Sequence, residues 1–267
     1  MRSPDGCFKR NGPIFAIGLQ EDAFMKLLSI GNSFSQDAHR YLHELAKYNG
    51  IDLETVNLYI GGCNLLRHCA CLDSGEAAYD LEPNGGEGIA KISLSDAVRS
   101  DVFDIVTVQQ SSYDSGRPQT YFPYMEKLLS FCRENQPDAK LFFHQTWAYE
   151  TDSALDAFAD YDRDQAEMFR RIEDCTAMVE KVFGIPVIPT GAMLQKLRDT
   201  VPEFDYKNGG RSLCRDGGHL SLDYGRLTAA YTWLRSITGE AVTLKGFADF
   251  DDTLTEKIQA AGDQLFG

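Results

Sequence analysis

The sequence has no apolar run long enough to cross a lipid bilayer, for which about 20 consecutive apolar residues are needed. It also lacks a net positive charge, because 40 Asp and Glu residues outnumber 26 Lys and Arg residues and leave a formal net charge of −14. Nucleic acids and anionic membrane surfaces are themselves polyanions, so this charge argues against both of them as partners. We therefore expect no nucleic-acid partner and no membrane association.

Cysteine spacing typical of a zinc knuckle is absent as well. The seven cysteines form no C-x-x-C pair, and Cys69-x-Cys71 is too tightly spaced for the usual zinc site. Scattered cysteines in odd number indicate reduced thiols and a cytoplasmic location. The first 24 residues hold no apolar segment of the length that a secretory leader needs. We expect an N-terminal extension over residues 1–24, followed by a single domain over residues 25–267.

From residue 25 onward, short apolar runs alternate with amphipathic segments. Near-continuous apolar strands separated by helices are typical of a parallel sheet that is covered by helices on both faces. The sequence therefore predicts an α/β fold with three layers, α/β/α, around a five-stranded parallel sheet. The five predicted strands are Lys26–Gly31, Asp52–Gly61, Asp104–Gln110, Lys140–Trp147 and Ile185–Thr190.

Helical periodicity is clearest in three segments, where apolar residues recur every three or four positions. These predicted helices span about Gln36–Asn49, Asp162–Phe183 and Leu222–Ile237. Residues 65–100 contain the turn sequence Pro83-Asn84-Gly85-Gly86 and resemble a long insertion, with a short helix predicted at Leu94–Ser100.

Polar residues follow the predicted strands at their carboxyl ends, which is the edge where open α/β sheets bind ligands. The four groups are Asn32-Ser33, Gly61-Gly62-Cys63-Asn64, Gln109-Gln110-Ser111-Ser112 and His144-Gln145-Thr146-Trp147. Parallel strands bring these groups to one edge of the sheet, so the sequence predicts a ligand site there.

Two distant motifs could combine into a nucleophilic site at that edge. Asp216-Gly-Gly-His219 can place a carboxylate against one imidazole nitrogen and leave the other nitrogen facing a cleft. Ser33 follows an apolar strand and precedes a helix, where it could supply the nucleophile that such an imidazole activates. The local sequence equally allows Ser33 to act only as a helix cap.

The motifs Gly31-Asn32-Ser33-Phe34-Ser35, Gly61-Gly62, Gln110 and Asp216-x-x-His219 occur in the order of the four sequence blocks of the SGNH, or GDSL-type, hydrolase superfamily. The chain resembles a subgroup of unknown function that carries G-N-S-F-S. The resemblance implies a flavodoxin-like sheet and an esterase without metal or cofactor. It implies Ser33 as nucleophile, His219 as general base and Asp216 as its partner. The oxyanion hole would comprise the N–H groups of Ser33 and Gly62 and the side chain of Gln110.

Two departures from the superfamily pattern bear on the substrate. Asn32 stands where the superfamily motif has Asp, and Gln110 stands where Asn is usual. The run Q-S-S-Y-D from Gln110 is similar to the Q-G-E-S-D of the carbohydrate acetylesterase branch, which implies a small acyl ester, such as acetyl, on a sugar. Side chains near the predicted strand ends are candidate substrate contacts, namely Asn32, His68, Tyr113 and Trp147.

Three other functions remain open at this point. The chain could be a lipase or thioesterase that acts on longer acyl chains, or a catalytically silent carbohydrate-binding module. It could also be a metal-dependent hydrolase, because His39 and His43 lie one helical turn apart. No third ligand stands at a useful spacing from that pair, and the sequence is not H-E-x-x-H.

Overall fold

The computed structural model describes residues 24–267, so the extension expected over residues 1–24 lies outside the described residues apart from Phe24. This part of the chain forms one seven-stranded sheet. The strands are β1 (Met25–Gly31), β2 (Leu53–Tyr59), β3 (Tyr79–Pro83), β4 (Lys91–Ile92), β5 (Ile105–Gln109), β6 (Lys140–His144) and β7 (Val187–Ile188).

The strand order across the sheet is β4-β3-β2-β1-β5-β6-β7. The five predicted strands are present as β2-β1-β5-β6-β7, all parallel, in the 2-1-3-4-5 order of flavodoxin-like sheets. The predicted total of five strands is wrong, because β3 and β4 extend the β2 edge in antiparallel fashion. Both come from residues 65–100. They are short, and a glycine-rich turn separates them, so neither produced a recognisable apolar run.

Eight α-helices cover the sheet within the described residues. They are α1 (Ser33–Tyr48), α2 (Leu65–Ser74), α3 (Leu94–Arg99), α4 (Tyr124–Asn135), α5 (Gln165–Phe183), α6 (Thr190–Thr200), α7 (Tyr224–Thr238) and α8 (Asp252–Phe266). None of these helices is long and apolar enough to span a lipid bilayer.

Successive side chains of a strand point to opposite faces of the sheet, so the strands contribute to two separate hydrophobic cores. Leu27 of β1 belongs to the core under α1, α6, α7 and α8, whereas Leu28 and Ile30 belong to the core under α2, α3 and α4. Helix α5 contributes Met168 to the first core and Cys175 to the second. The three predicted layers are therefore present. Helix α1 packs against α7, which follows the Asp216–His219 segment in the chain.

Three histidines are buried inside this framework, at positions 39, 68 and 144. Burial lowers the pKa of each of them from 6.5 to about 3, and the neighbouring His39 contributes to the effect at His144. The folded protein therefore keeps all three imidazoles neutral in mildly acidic solution, where an unfolded chain would protonate them.

We predict that the free energy of unfolding falls as the pH falls below about 6.5. Between pH 6.5 and 3 the unfolded chain binds more protons than the folded one, so each buried histidine removes about 1.4 kcal/mol per pH unit. Urea titrations between pH 7 and pH 5 measure this slope. The His68→Gln variant should have a shallower slope by the contribution of one histidine; an unchanged slope would contradict the assignment of His68 as a neutral buried group.

Candidate active site

Ser33 is the first residue of α1, and its hydroxyl is not the cap of that helix. Asn32 is the N-cap: its Oδ1 accepts from the backbone N–H of Phe34 at 2.9 Å, while Ser35 Oγ accepts from the backbone N–H of Asn32 at 3.1 Å. This reciprocal capping satisfies the helix start without Ser33. The Ser33 hydroxyl is therefore free to bond elsewhere, which removes the alternative that it only caps the helix.

The Asp216–His219 turn presents its imidazole to Ser33. His219 Nε2 lies 2.9 Å from Ser33 Oγ, and His219 Nδ1 lies 2.7 Å from Asp216 Oδ2. The carboxylate can only accept, so it places the imidazole proton on Nδ1 and leaves Nε2 as the acceptor for the Ser33 hydroxyl. The structure thus brings together the three residues predicted as a catalytic triad.

Asp216 is held in its ionised form. Partial burial would raise the pKa of this carboxyl, but hydrogen bonds from the backbone and side chain of His219 and from the N–H of Gly218 outweigh burial and lower the pKa below its ordinary value of 3.8. Asp216 Oδ1 accepts from His219 N at 2.7 Å and from Gly218 N at 3.1 Å. The turn therefore orients its own imidazole.

Trp147 supports this turn from below and is not a substrate contact, contrary to the sequence-based expectation. Its ring is fully buried, and its Nε1 donates to the carbonyl of Gly218 at 2.8 Å. The ring of Phe34, next to Ser33, packs edge-on against it at 4.0 Å between centroids. Trp147 thus links the residue after Ser33 to the residue before His219.

A buried chain of hydrogen bonds joins the ends of four parallel strands beneath Ser33. Asn32 Nδ2 donates to the carbonyl of Cys63 at 2.9 Å, and Asn32 Oδ1 accepts from Gln109 Nε2 at 2.7 Å. Gln109 Oε1 in turn accepts from His144 Nδ1 at 2.8 Å. Asn32 was predicted as a substrate contact, but it is buried, and both its Oδ1 and its Nδ2 bond groups of the protein. Gln109 is thus a supporting residue to which the sequence alone assigned no role.

Gln110 does not point toward the site, and this corrects its predicted role in an oxyanion hole. It is fully buried; its Nε2 donates to the carbonyl and hydroxyl of Thr120 at 3.2 and 3.1 Å. Its Oε1 accepts from the backbone N–H groups of Leu65 and Ser111. Both ends of the amide are therefore satisfied by the protein, and Gln110 anchors the loop between β5 and α4 to α2.

His68 is likewise inside the protein and cannot reach a substrate from the cleft as expected. Its Nδ1 bonds the hydroxyl of Tyr79 at 2.8 Å, and the two rings stack with centroids 5.8 Å apart. The expectation failed because His68 faces the sheet from α2. Burial of this kind depends on how α2 packs and leaves no local signature.

The surface beside Ser33 is formed by the loop after β2 and by the loop after β5. Gly62 is exposed there with φ of +62°, a conformation that favours glycine. The half-buried Tyr113 donates its hydroxyl to the Gly62 carbonyl at 2.9 Å. Of the four predicted substrate contacts, Tyr113 is the one that stays at this surface.

Asn64 is a further polar residue of this surface, and it follows the end of β2. Its Oδ1 accepts from the backbone N–H of Arg67, which caps α2, and its Nδ2 donates to Asp114 Oδ2 at 2.9 Å. These bonds fix the orientation of the amide. Within residues 24–267 the second N–H hydrogen of this amide has no protein partner. The signal in the sequence was its position two residues after Gly62.

The two histidines considered as metal ligands do not converge. His39 Nε2 bonds Ser29 Oγ at 2.7 Å in the core, whereas His43 Nδ1 donates to the carbonyl of Leu53 at 2.7 Å. In the described part of the chain, no group of three His, Cys, Asp or Glu side chains has the arrangement of a metal site. The histidine pair therefore supports the helix against the sheet.

Comparison with known proteins shows to which family the sequence is similar. A family model described as a domain of unknown function, DUF4886, matches residues 26–261. The crystal structure of a DUF4886 family protein from Bacteroides uniformis is 33% identical in sequence, with a TM-score of 0.82, and the match covers 91% of this chain and 94% of that one. No curated protein matches the sequence.

More distant structures share the fold. A candidate SGNH hydrolase from Slackia heliotrinireducens is 17% identical, with a TM-score of 0.54 over 80% of this chain and 100% of that one. A candidate GDSL-like lipase from Parabacteroides merdae is 13% identical, with a TM-score of 0.52 over 79% and 94%. At such identities the likeness concerns the fold alone. The flavodoxin-like arrangement of sheet and helices that the motifs implied is therefore shared with these structures.

We predict that Asn32→Asp destabilises the protein, although Asp is the residue of the superfamily motif. The new carboxylate oxygen would face the Cys63 carbonyl where Nδ2 now donates, so a buried hydrogen bond would become a repulsion. The free energy of unfolding should fall by roughly 2 kcal/mol in urea titrations at pH 7. Ser33→Ala, one residue away, is the matched control and should stay within about 0.5 kcal/mol of the wild type. Equal stability of Asn32→Asp and wild type would contradict the assignment.

Proposed function

The chain belongs to the DUF4886 family, and we propose that it is a serine esterase that hydrolyses carboxylic esters through an acyl intermediate on Ser33. The observation that carries the proposal is the continuous hydrogen-bonded array from Ser33 Oγ through His219 to Asp216, with distances of 2.9 and 2.7 Å. These are the distances at which an imidazole can take a hydroxyl proton during attack. Carbohydrate binding alone does not require a serine, a histidine and a carboxylate in this arrangement.

The array supports a two-step reaction. Ser33 Oγ attacks the ester carbonyl while His219 Nε2 takes the hydroxyl proton, and Asp216 stabilises the resulting imidazolium. The tetrahedral intermediate collapses, the alcohol leaves with the proton from His219, and the acyl group stays on Ser33. Water then attacks the acyl carbonyl, again with His219 as base. The acid is released and Ser33 regains its proton.

The negative charge of the tetrahedral intermediate needs donors near Ser33. The backbone N–H groups of Ser33 and Gly62 have no partner within residues 24–267, and the first lies at the positive end of α1. Because Gln110 is committed elsewhere, we assign the third donor to the unpartnered N–H of Asn64. Removing one such donor typically slows turnover by about two to three powers of ten.

The surroundings of the array favour a small acyl group on a polar alcohol such as a sugar. The loop after β5 offers a hydroxyl group and an aromatic ring at this surface: Ser112 Oγ bonds the hydroxyl of the buried Tyr149 at 2.8 Å, and the half-buried Tyr113 bonds the Gly62 carbonyl. Aromatic rings with hydroxyl tips suit a sugar ring, which offers both apolar faces and hydroxyl groups. The proposed partner is therefore an acylated small molecule.

A longer acyl chain is the second candidate, as for a lipase or thioesterase. Two exposed leucines favour it: Leu66 lies in the first turn of α2, directly after the Gly62 loop, and Leu155 lies against Gly218 beside His219. Apolar side chains at such positions could cover several methylene groups, each of which contributes about 0.8 kcal/mol when buried.

We predict that Ser33→Ala abolishes turnover of p-nitrophenyl acetate, because no other hydroxyl in the described residues is aligned with His219. The loss should be at least about 10⁴-fold in kcat. Far-UV circular dichroism and the urea midpoint should match the wild type. Ser35→Ala is unsuitable as a control because Ser35 completes the helix cap, whereas the exposed Ser74 is suitable. Full activity of Ser33→Ala would refute the proposed nucleophile.

Acyl length separates the two substrate classes. For a series of p-nitrophenyl esters from acetyl to decanoyl, we expect kcat/KM to be highest for acetyl and to fall with chain length. A maximum at octanoyl or longer would favour the second candidate. In that case Leu155→Ser should lower kcat/KM for the long esters and leave acetyl unchanged, which identifies the leucine as the cause.

A further inference from the structure

Asp37 is a fully buried carboxylate on α1, one helical turn after Ser33. Arg215 Nη1 donates to its two oxygens at 2.9 and 3.0 Å, and Arg226 Nε donates to Oδ1 at 2.7 Å. The backbone N–H of Leu220 completes the set at 2.8 Å to Oδ2. A buried carboxylate is costly unless it is paired and hydrogen-bonded, and here every contact is charged or directional.

Two of these donors come from the ends of the turn that carries His219. Arg215 immediately precedes Asp216, and Leu220 immediately follows His219. The turn is closed on itself, because Arg215 N donates to the carbonyl of His219 at 2.9 Å and Cys214 pairs with Leu220 in a β-bridge. Asp37 therefore holds both ends of the turn against the helix that begins with Ser33.

We propose that Asp37 is a positioning residue that sets the distance between Ser33 Oγ and His219 Nε2. This inference rests on the proposed esterase function. The Asp216–His219 contact lies inside the turn and does not involve Asp37. The position of the whole turn relative to α1, in contrast, depends on the hydrogen bonds of Asp37. Loss of Asp37 should thus separate the nucleophile from its base and leave the base and its carboxylate together.

Asp37 could instead act through its charge, by stabilising the imidazolium that forms on His219 during attack. The two explanations predict opposite effects of removing Arg215. If charge were the cause, loss of this cation would increase the net negative field at His219 and raise kcat. If position is the cause, loss of Arg215 releases one end of the turn and lowers kcat.

The primary test is Asp37→Asn, which keeps the size of the side chain, removes its charge and replaces one of its two acceptor oxygens with a donor nitrogen. We expect kcat for p-nitrophenyl acetate to fall roughly a hundredfold, as misplacement of a catalytic group by about 1 Å can do. KM should change less than about threefold. Arg215→Gln should lower kcat in the same direction and less severely. The side chain of Arg215 is partly exposed, so Arg215→Gln is expected to fold. This variant therefore distinguishes position from charge if Asp37→Asn does not fold.

The control for general destabilisation is Leu128→Ala, in the core on the opposite face of the sheet. It removes core packing without touching the site and should retain the wild-type kcat below its unfolding temperature.

The second readout is the His219→Ala background, where the base is already missing. There Asp37→Asn should change the residual rate less than about twofold, because a positioning residue acts through the group that it positions.

A crystal structure of Asp37→Asn, or of Arg215→Gln, tests the inference without relying on activity. We expect the Ser33 Oγ to His219 Nε2 distance to exceed about 3.5 Å while the His219 Nδ1 to Asp216 contact is retained. An unchanged Ser33–His219 distance, or a kcat equal to or above that of the wild type in Arg215→Gln, would overturn the inference. Lack of ester turnover by the wild-type protein would instead refute the proposed function, and the distances would still decide the role of Asp37.

Discussion

The side-chain amide of Asn32 is buried where four parallel strands end, and both its oxygen and its nitrogen bond groups of the protein there. Its Oδ1 accepts hydrogen bonds from the start of α1 and from Gln109, and its Nδ2 donates to the loop after β2. Because this one side chain caps the helix, Ser33 does not have to. The free hydroxyl of Ser33 is thus a consequence of how its neighbour is bonded.

The site is held by two independent sets of contacts. The amide chain from Cys63 through Asn32 and Gln109 to His144 fixes the strand ends relative to the start of α1. The second set fixes the Asp216–His219 turn, through Trp147 from below and Asp37 from the side. Neither set includes the atoms that we propose to react. The positions of the reacting groups are therefore set by neighbours that are buried and hydrogen-bonded to one another.

Much of the fold could be predicted from the sequence because β1, β5 and β6 are continuous apolar runs between helical patterns. The reacting residues could be predicted because Gly-rich turns and a Ser at a strand end are local features. Strand β4 could not, since a strand of two residues has no periodicity to detect, and β3 is a five-residue segment that ends in proline, a residue that disfavours a strand within a sheet. Their pairing depends on the exposed edge of β2, which exists only in the folded sheet.

The supporting residues could not be assigned for a related reason. Gln109 and Gln110 are adjacent in sequence, and only the direction of each side chain decides which one joins Asn32. The salt bridges of Asp37 join it to arginines that lie 178 and 189 positions away in the sequence, so no local pattern predicts them. His68 and Trp147 were expected at the surface, because nothing in their own segments indicates which helix or turn covers them.

The most direct test of the account is the reaction of the protein with a fluorophosphonate, followed by peptide mapping, in the wild type and in His219→Ala. This probe forms a stable bond with a serine only when a base activates its hydroxyl. We predict a single adduct on Ser33 in the wild type and a labelling rate lower by at least about three powers of ten in His219→Ala. Labelling at another residue, or equal rates in the two proteins, would contradict the alignment of Ser33 with His219.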